Sequence, residues 1–317
     1  MYYNTREEFR QDVFQLAADG TSIKTLKKIA IKKRYNSQMA INLRIIKEDK
    51  RAYLIDNCAT FVNVGFLQDG TEKVVSANFC RQRLCSVCAW RRQLRFIATT
   101  LPVLESIGIQ KQRYIFLTLT VRNCAMGELK QTVDKMLKGW TALCHMRPFK
   151  RILKGYIRSL EVTFNNKTQE YHPHIHALIA VPDGYFDNKG IYLNQFEIQQ
   201  MWQFALNVTY DPIIDVRAVD ENEFKGETDN KPALEVMKYA FKLNNIEFSP
   251  VVTQEFHRAL MARRLITFGG IIKKKRAEFN YPDLETEDTL VDGETDTNQF
   301  THTILHEFTA AGWQIRL

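Results

Sequence analysis

The stretch YIRSLEVTFNNKTQEYHPHIHALIAV, residues 156–181, decides the fold, because it is typical of two strands joined by a short polar turn. Side chains two apart on a strand point to the same face, so His172, His174 and His176 share one face of the second strand. A lone histidine here would be an incidental residue of a half-exposed strand. Three at this spacing favour a metal site over that interpretation.

The register of this hairpin brings a carboxylate to the histidines. If residues 165–170 form the turn symmetrically, Glu161 lies opposite His174. A slip of one residue would move Glu161 to the other face of the sheet. In the symmetric register Glu161, His174 and His176 converge as one carboxylate and two imidazoles, with His172 as a neighbour. This donor set suits Mn²⁺ or, less comfortably, Mg²⁺, and it leaves positions open for a phosphate.

The flanking segments place the hairpin inside a β-α-β-β-α-β order. RYIFLTLTV (113–121) and IIDVRAV (213–219) have the composition of strands, whereas residues 127–146 and 194–207 repeat apolar residues at helical spacing. This order predicts an α+β fold with a ferredoxin-like core, in which the antiparallel central hairpin carries the metal site.

A further helix is predicted at KPALEVMKYAFKLNN, residues 231–245. Glu235 and Tyr239 are four residues apart and share one helical face, and Lys238 and Lys242 form a second such pair. Taken alone, this is a plain amphipathic helix. Beside a metal-held phosphate, however, a phenol is a nucleophile that can cut DNA and keep the bond energy in a phosphotyrosine.

Four cysteines predict a structural zinc site before the core. Cys80, Cys85 and Cys88 lie in CRQRLCSVCAWRR (80–92), and Cys58 lies upstream in DNCATF. Four thiolates satisfy a tetrahedral zinc ion, and a chain without an apolar signal segment is expected to keep its thiols reduced. The spacing supports Cys58 least among the four ligands.

The basic charge of the chain lies before residue 276. The net charge is +8, but residues 276–317 contain two basic and nine acidic residues, so residues 1–275 contain 42 basic and 27 acidic residues, a net charge of +15. A basic surface favours a nucleic-acid partner over a merely soluble surface, although the first basic helix could also be a solvated amphipathic face. The candidate DNA-binding residues are Lys27, Lys28, Lys32, Lys33, Arg34, Arg91, Arg92, Arg95, Lys238 and Lys242.

The sequence predicts three regions. Residues 1–110 form a basic, helical, zinc-binding DNA-binding region, residues 111–275 the catalytic domain, and residues 276–317 an acidic C-terminal extension. A solvated tail is the simplest interpretation of the extension, with a partner site or a screen against nonspecific DNA as alternatives. The chain has no apolar run long enough to span a membrane, so we expect it in the cytoplasm.

Three ordered motifs resemble a known family. FLTLTVRN (116–123), HPHIHALI (172–179) and EVMKYAFK (235–242), together with NFCRQRLCSVCAWRR (78–92), resemble the rolling-circle replication initiators of small bacterial plasmids, in the HUH endonuclease superfamily. The resemblance covers roughly residues 58–270. It implies the single-tyrosine plasmid type, and LITFGGII, residues 265–272, also resembles the family without an assigned chemical task.

The resemblance implies a role for each site residue. His174 and His176 would hold the divalent cation, Tyr239 would attack the nick-site phosphate and leave a free 3′-hydroxyl, and Glu235 would activate water in a later cleavage. The implied function is a site-specific, metal-dependent single-strand DNA endonuclease and strand transferase. It nicks the plasmid double-strand origin through a 5′-phosphotyrosine intermediate, and so initiates and terminates rolling-circle replication.

The implied partner is plasmid origin DNA whose nick site is single-stranded or in an extruded hairpin, with a host helicase and polymerase and a homodimer as further expected partners. An HUH transposase or relaxase remains an alternative enzyme. A non-catalytic zinc DNA-binding regulator is the alternative from a different class.

Overall fold

A computed structural model describes residues 24–108, 112–219, 236, 249–261, 263–281 and 300–316. The chain divides into two compact units. The first comprises Met1–Arg92, Phe248–Gln254 and Asp288–Leu317, and the second comprises Gln93–Glu247 and Glu255–Glu287. Within the described residues, no helix is both long enough and apolar enough to cross a membrane.

The described part of the chain contains both helices and strands. In chain order they are α1 (Lys24–Ile45), α2 (Asp49–Asp56), β1 (Phe61–Phe66), β2 (Glu72–Ala77), α3 (Ser86–Ile107), β3 (Tyr114–Thr120), α4 (Leu129–His145), α5 (Arg147–Ile152), β4 (Gly155–Asn165), β5 (Glu170–Ala180), α6 (Gln195–Leu206), β6 (Ile214–Val219), α7 (Pro250–Leu260), β7 (Ile266–Gly269), α8 (Gly270–Glu278), β8 (His302–Thr309) and β9 (Gly312–Arg316).

The second unit is built on a five-stranded sheet of order β6-β3-β5-β4-β7, in which neighbouring strands are antiparallel. Its first four strands have the order expected of a β-α-β-β-α-β core, with the central hairpin β4–β5 inside the sheet. The α+β, ferredoxin-like fold predicted from the sequence is therefore confirmed. Strand β7 adds an edge beside β4.

The hairpin has the symmetric register. Glu161 on β4 pairs with His174 on β5, and Ser159 pairs with His176. On the other side of β5, strand β3 pairs Thr120 with His174 and Thr118 with His176. The histidines therefore occupy a central strand with a neighbour on each side, which confirms the predicted register.

One sheet face combines the histidines with an apolar core. Phe116, Ile157 and Leu178 belong to a buried cluster that also contains Phe96 and Val236. Because alternate residues of a strand share a face, Leu178 and the histidines two and four positions before it point the same way. The histidine site therefore continues the core that contains Val236.

The opposite face is covered by helices. Helix α4 has an apolar stripe, and its buried residues include Val133 and Trp140. Gly139 lets helix α6 approach closely, because a Cβ there would lie 3.1 Å from both Leu206 and Trp202. The asparagine at the start of α6, Asn194, forms a capping box with Glu197. These contacts leave the histidine face of the sheet as the one on which a site can form.

The first unit contains a second sheet, of order β2-β1-β8-β9. Strand β8 pairs antiparallel with β1, from Phe61 opposite Glu307 to Phe66 opposite His302. The indole of Trp313 donates a hydrogen bond to the Leu26 carbonyl at 3.0 Å. The solvated-tail interpretation of the C-terminal extension is therefore wrong for residues 302–316, because their backbone groups complete this sheet. The compact units also divide the chain at other positions than the predicted boundaries at 110 and 275.

Candidate metal centres

The hairpin brings a carboxylate and two imidazoles together. His176 Nε2 lies 3.0 Å from Glu161 Oε2, in an ion-pair geometry if the imidazole is protonated. The rings of His174 and His176 stack with their centroids 6.1 Å apart. Glu161 is buried, and both histidines are half-buried. The sheet therefore gathers the donor set expected of a site for a hard or borderline divalent ion.

The carboxylate and imidazole groups of Glu161, His174 and His176 are chemically suitable ligands for such an ion, but their ligand atoms do not all lie within 4.8 Å of one another. Among the described His, Cys, Asp and Glu residues, only the four clustered cysteines have ligand atoms all within 4.8 Å of one another. His174 Nδ1 is buried and finds no hydrogen-bond partner among the described residues. Burial, and then the neighbouring His176, lower the pKa of His174. The His174 imidazole is therefore neutral near pH 7 and suited to ligation.

Thr118 holds the second imidazole. Its Oγ1 lies 3.2 Å from His176 Nδ1, while Nε2 of the same ring faces Glu161. With both nitrogens engaged, the plane of the ring is fixed, as is usual for histidine ligands supported by a second residue. The sequence analysis did not identify Thr118. The strand pattern of β3 places Thr118 on the same face as Phe116, two residues earlier. Only the pairing of β3 with β5 shows that this position lies beside His176.

A cation and a tyrosine lie just beyond the histidine end of β3. Thr120 pairs with His174, and Arg122 follows two residues later. The Arg122 guanidinium lies 4.2 Å from the centroid of the Tyr210 ring, and the Arg122 backbone N–H donates to the Tyr210 hydroxyl at 3.1 Å. Arg122 is not among the DNA contacts predicted from the sequence, although it lies inside the motif FLTLTVRN.

The predicted nucleophile and base, Tyr239 and Glu235, lie outside the described residues, as do Lys238 and Lys242. Val236, next to Glu235 in the sequence, is described. It is helical and fully buried in the cluster that contains Phe116 and Leu178. The start of the motif EVMKYAFK is thus anchored on the histidine face of the sheet.

The four predicted zinc ligands do come together. Their Sγ atoms all lie within 4.8 Å of one another, with Cys58 to Cys88 at 3.5 Å and Cys80 to Cys88 at 3.7 Å. A tetrahedral ion with Zn–S bonds of about 2.3 Å has S–S edges of about 3.8 Å. The cluster therefore has the size of a zinc site, and it could bind zinc.

Backbone and side-chain donors surround the cysteine sulfurs. Cys58 Sγ accepts the Cys80 N–H at 3.4 Å, and Cys88 Sγ accepts the Arg81 N–H at 3.2 Å. Cys85 Sγ accepts a hydrogen bond from the Asn36 side-chain N–H at 3.1 Å. The side-chain oxygen of Asn36, Oδ1, in turn accepts the Ser86 backbone N–H at 2.8 Å. Asn36 is fully buried. Helix α1 thereby supports the cluster, a role that the sequence analysis missed.

The thiols of the cluster compete for ionisation. Burial and then the neighbouring thiols raise the pKa of Cys88 well above its usual range. Burial also opposes ionisation of Cys85, but hydrogen bonds from the other three thiols outweigh it and lower the pKa of Cys85. Without a cation, at most part of the cluster is ionised. A divalent ion would offset the repulsion of four thiolates, so the cluster fits a metal in charge as well as size.

Two predicted DNA contacts are buried. The Lys33 ammonium donates to the carbonyl of Cys58 at 2.9 Å and to Thr60 Oγ1 at 3.1 Å, and burial lowers its pKa. The Arg91 guanidinium is 1% exposed and lies over the rings of Phe79 and Trp90. The prediction of DNA contact is therefore wrong for Lys33 and Arg91 in this structure, because neither head group can reach a phosphate.

The other described candidates remain accessible. Their exposure ranges from partial to high, and they are Lys27, Lys28, Lys32, Arg34, Arg92 and Arg95. Lys32 lies over the Trp90 ring at 5.7 Å from its centroid. DNA contact by these residues stays a prediction.

Comparison with known proteins gives one consistent family. The family model "Replication protein" matches residues 71–316. Among individual relatives, "Protein rep" of Bacillus amyloliquefaciens is 34% identical over 263 residues, which cover 76% of either chain. "Protein rep" of Lentilactobacillus hilgardii is 33% identical over 262 residues, 80% of this chain and 83% of that one. "Protein rep" of Streptococcus pneumoniae is 32% identical over 242 residues, 74% of each.

No solved structure is significantly similar to the chain. The family match spans Cys80, Cys85 and Cys88 of the cysteine cluster, the hairpin and the C-terminal strands alike, so it does not rest on one motif. The chain belongs to the Rep replication proteins, the plasmid rolling-circle replication initiators that its motifs resemble.

Proposed function

We propose that the chain nicks and rejoins one DNA strand at a plasmid double-strand origin, through a 5′-phosphotyrosine on Tyr239, to start and end rolling-circle replication. One observation carries the proposal: Glu161, His174 and His176 lie on the sheet face that also buries Val236, three residues before Tyr239. Membership in the replication-protein family supports origin DNA as the partner. It also favours a replication initiator over a transposase or a relaxase.

Glu161, His174 and His176 would hold the divalent ion, Mn²⁺ or Mg²⁺. When bound, the ion would polarise the scissile phosphate and stabilise its developing charge. Thr118 keeps the His176 ring in one orientation through Nδ1, which leaves Nε2 directed at the site. The low pKa of the His174 imidazole keeps that residue unprotonated.

Tyr239 and Glu235 would then carry out the phosphoryl-transfer steps. The Tyr239 phenolate attacks phosphorus, a tyrosyl ester to the 5′ side forms, and the bond from phosphorus to the 3′-oxygen breaks, so that this oxygen leaves as a 3′-hydroxyl. That hydroxyl can prime a host polymerase behind a host helicase. After one round, Glu235 takes the proton of a water molecule that attacks phosphorus at the regenerated site, since Tyr239 is already occupied, and the bond from this phosphorus to the 3′-oxygen breaks to free a second 3′-hydroxyl. That hydroxyl attacks the phosphotyrosine, which joins the strand ends and releases the Tyr239 hydroxyl.

Cys58, Cys80, Cys85 and Cys88 would hold a structural zinc ion. Four thiolates leave no position open for substrate, so the ion would fix the first unit rather than take part in the nicking chemistry. The accessible cations of this unit would then contact duplex DNA of the origin. We place the protein in the bacterial cytoplasm, where a plasmid is found, and a homodimer on the origin remains a prediction.

Nicking of a supercoiled plasmid that carries the matching origin tests the proposal. Wild-type protein with Mn²⁺ should produce open circles, and chelation by EDTA should prevent it. His174→Ala and His176→Ala should each reduce the nicking rate by about 10- to 100-fold or more. His172→Ala is the matched control, because it removes a histidine from the same strand face without removing a proposed ligand.

Two outcomes would count against the proposal. Full nicking in EDTA would remove the need for the metal site. Unchanged nicking by His176→Ala would make His176 structural and would place the nicking chemistry at another site.

A further inference from the structure

The motif LITFGGII builds a cleft at the edge of the sheet in the second unit. Gly269 lies at the end of β7 under the ring of Tyr156, and a Cβ there would come within 2.1 Å of that ring. Gly270 has a φ of +56°, and a Cβ there would come within 2.0 Å of the Lys154 carbonyl oxygen. The two glycines therefore let the chain turn straight from β7 into α8 while Tyr156 lies across the turn.

The cleft between β7 and α8 has a volume of about 540 Å³. Its described lining includes four aromatic residues and three cations, among them Tyr156, Phe268, Tyr281, Arg264, Lys273 and Arg276. No carboxylate belongs to this described lining. Volume and composition suit a ligand that has both a flat ring and a negative charge.

One of the cations is structural. The Arg276 guanidinium lies 4.7 Å from the centroid of the Phe268 ring and 5.6 Å from that of Tyr281. It also donates to Thr99 Oγ1 at 3.1 Å, and it is buried. Arg276 therefore fixes the aromatic wall, whereas Arg264 and Lys273 are exposed at the cleft and can meet an anion.

The cleft lies close to the proposed nicking site. Ile266, which lines the cleft, pairs with Ser159, and Ser159 pairs with His176. Neighbouring strands are about 4.8 Å apart, so the backbones of Ile266 and His176 are separated by about 10 Å. A DNA strand whose phosphate lies at the histidines would place a nearby nucleotide at the cleft.

We infer that this cleft binds a nucleotide of the cleaved strand near the scissile phosphate. The base stacks on the aromatic wall, and Arg264 and Lys273 contact the backbone phosphates, which is the combination by which proteins hold single-stranded nucleic acid. The inference rests on the proposed function, because it takes the bound strand to be the one that is nicked. It gives the LITFGGII segment a task, which is to shape this subsite.

Binding of a fluorescein-labelled oligothymidine to the zinc-loaded full chain without added Mn²⁺ or Mg²⁺, followed by fluorescence anisotropy at several salt concentrations, tests the inference. Lys273→Ala should lower the slope of log K against log salt by about 0.7, the value for one phosphate contact on a single strand. Lys274→Ala is the matched control: it removes the same charge from the next, exposed position of α8, outside the cleft lining, and should leave the slope unchanged.

A second pair of variants tests the stacking. Tyr281→Leu should weaken oligothymidine binding by about fivefold or more, whereas Tyr281→Phe, which keeps the ring, should bind within about twofold of wild type. An oligonucleotide that carries iodouridine should cross-link on irradiation to a peptide within residues 264–281. A duplex of mixed sequence should be bound equally by wild type, Lys273→Ala and Tyr281→Leu.

Because the assay contains no Mn²⁺ or Mg²⁺ and oligothymidine carries no origin nick site, the measured binding does not depend on cleavage. If wild type nicks plasmid but Lys273→Ala and Tyr281→Leu bind oligothymidine as wild type does, the cleft inference is overturned and the proposed function stands. Equal losses on single strand and duplex would also overturn it, because the cleft would then be a general DNA surface. If the cleft variants lose single-strand binding and wild type does not nick, the proposed function fails, but the conclusion that the cleft binds single-stranded DNA stands.

Discussion

Asn36 offers a sharp test of the cysteine cluster, because one buried amide serves both the metal ligands and the start of α3. Its Nδ2–H donates to Cys85 Sγ at 3.1 Å, and its Oδ1 accepts the Ser86 N–H at 2.8 Å. Asn36→Ala removes both bonds. The substitution leaves the Ser86 N–H buried without its acceptor and leaves the Cys85 sulfur without its side-chain donor.

The magnitude follows from these two losses. A buried donor left without a partner costs about 1–3 kcal/mol. Loss of a residue that supports a metal ligand lowers metal affinity by about 10- to 100-fold, which corresponds to about 1.4–2.7 kcal/mol. The free energy of unfolding of the zinc-loaded first unit should therefore fall by about 2–6 kcal/mol. Asn36→Asp should keep the Ser86 bond but place a carboxylate against the thiolates, so it should weaken zinc binding while sparing the helix start.

Competition between the protein and a chromophoric chelator measures the zinc affinity, and urea unfolding of the zinc-loaded protein measures stability. Ser37→Ala is the matched control, because Ser37 is the exposed next residue of α1 and its hydroxyl donates a hydrogen bond to the Lys33 carbonyl within the same helix, at 3.3 Å. It should change stability by less than about 0.5 kcal/mol. Wild-type zinc affinity and stability in Asn36→Ala would refute the reasoning.

Two further outcomes are expected. Glu235→Ala should form the Tyr239 adduct at near-normal levels yet fail to cleave the regenerated site with water, so the adduct should persist and gel analysis should show single strands longer than unit length. Unit-length circles in normal yield would leave Glu235 with a structural role only. Burial lowers the pKa of His306 below its ordinary value near 6.5. The unfolded chain therefore binds more protons than the folded chain as the pH falls below about 6.5, so the stability of the first unit should decrease with falling pH there. Urea unfolding at pH 5 to 8 should show that His306→Gln flattens this dependence, whereas the exposed His302→Gln should not.

The hairpin could be predicted from the sequence because its constraints are local. Two strands of period-2 patterning enclose a short polar turn, and a one-residue slip would expose the apolar face, so the pairing of Glu161 with His174 follows. The cysteine cluster could be predicted for a similar reason, since Cys85 and Cys88 have the two-residue knuckle spacing. In both cases the residues that decide the geometry lie close together in the chain.

The pairing of β8 with β1 could not be predicted in this way. Phe61 and Glu307 are partners although more than 200 residues separate them, and no local turn fixes their register. The acidic composition around β8 favoured a solvated tail instead. The cation–π contact of Lys33 with Phe308, in which the ammonium lies 5.3 Å from the ring centroid, likewise joins distant parts of the sequence.

Burial of charged residues was the other failure. Lys33 lies in a run of cations that alternates with apolar residues, and patterning alone cannot tell which ammonium finds carbonyl acceptors. The acceptors, the carbonyls of Asp56 and Cys58, come from a different helix and its following loop. The supporting roles of Thr118 and Asn36 were hidden for the same reason, because each depends on a partner from a distant segment.

The most direct test of the central claim is to identify the residue that becomes joined to DNA. Wild-type protein is incubated with Mn²⁺ and a supercoiled plasmid that carries the matching origin, denatured, digested with nuclease and protease, and analysed by mass spectrometry for a nucleotide-linked peptide. We expect a nucleotide on Tyr239, attached through the 5′ side of the nick, and no adduct in Tyr239→Phe, which should still bind the origin. An adduct on Tyr210 or another tyrosine, or nicking without any adduct, would contradict this expectation.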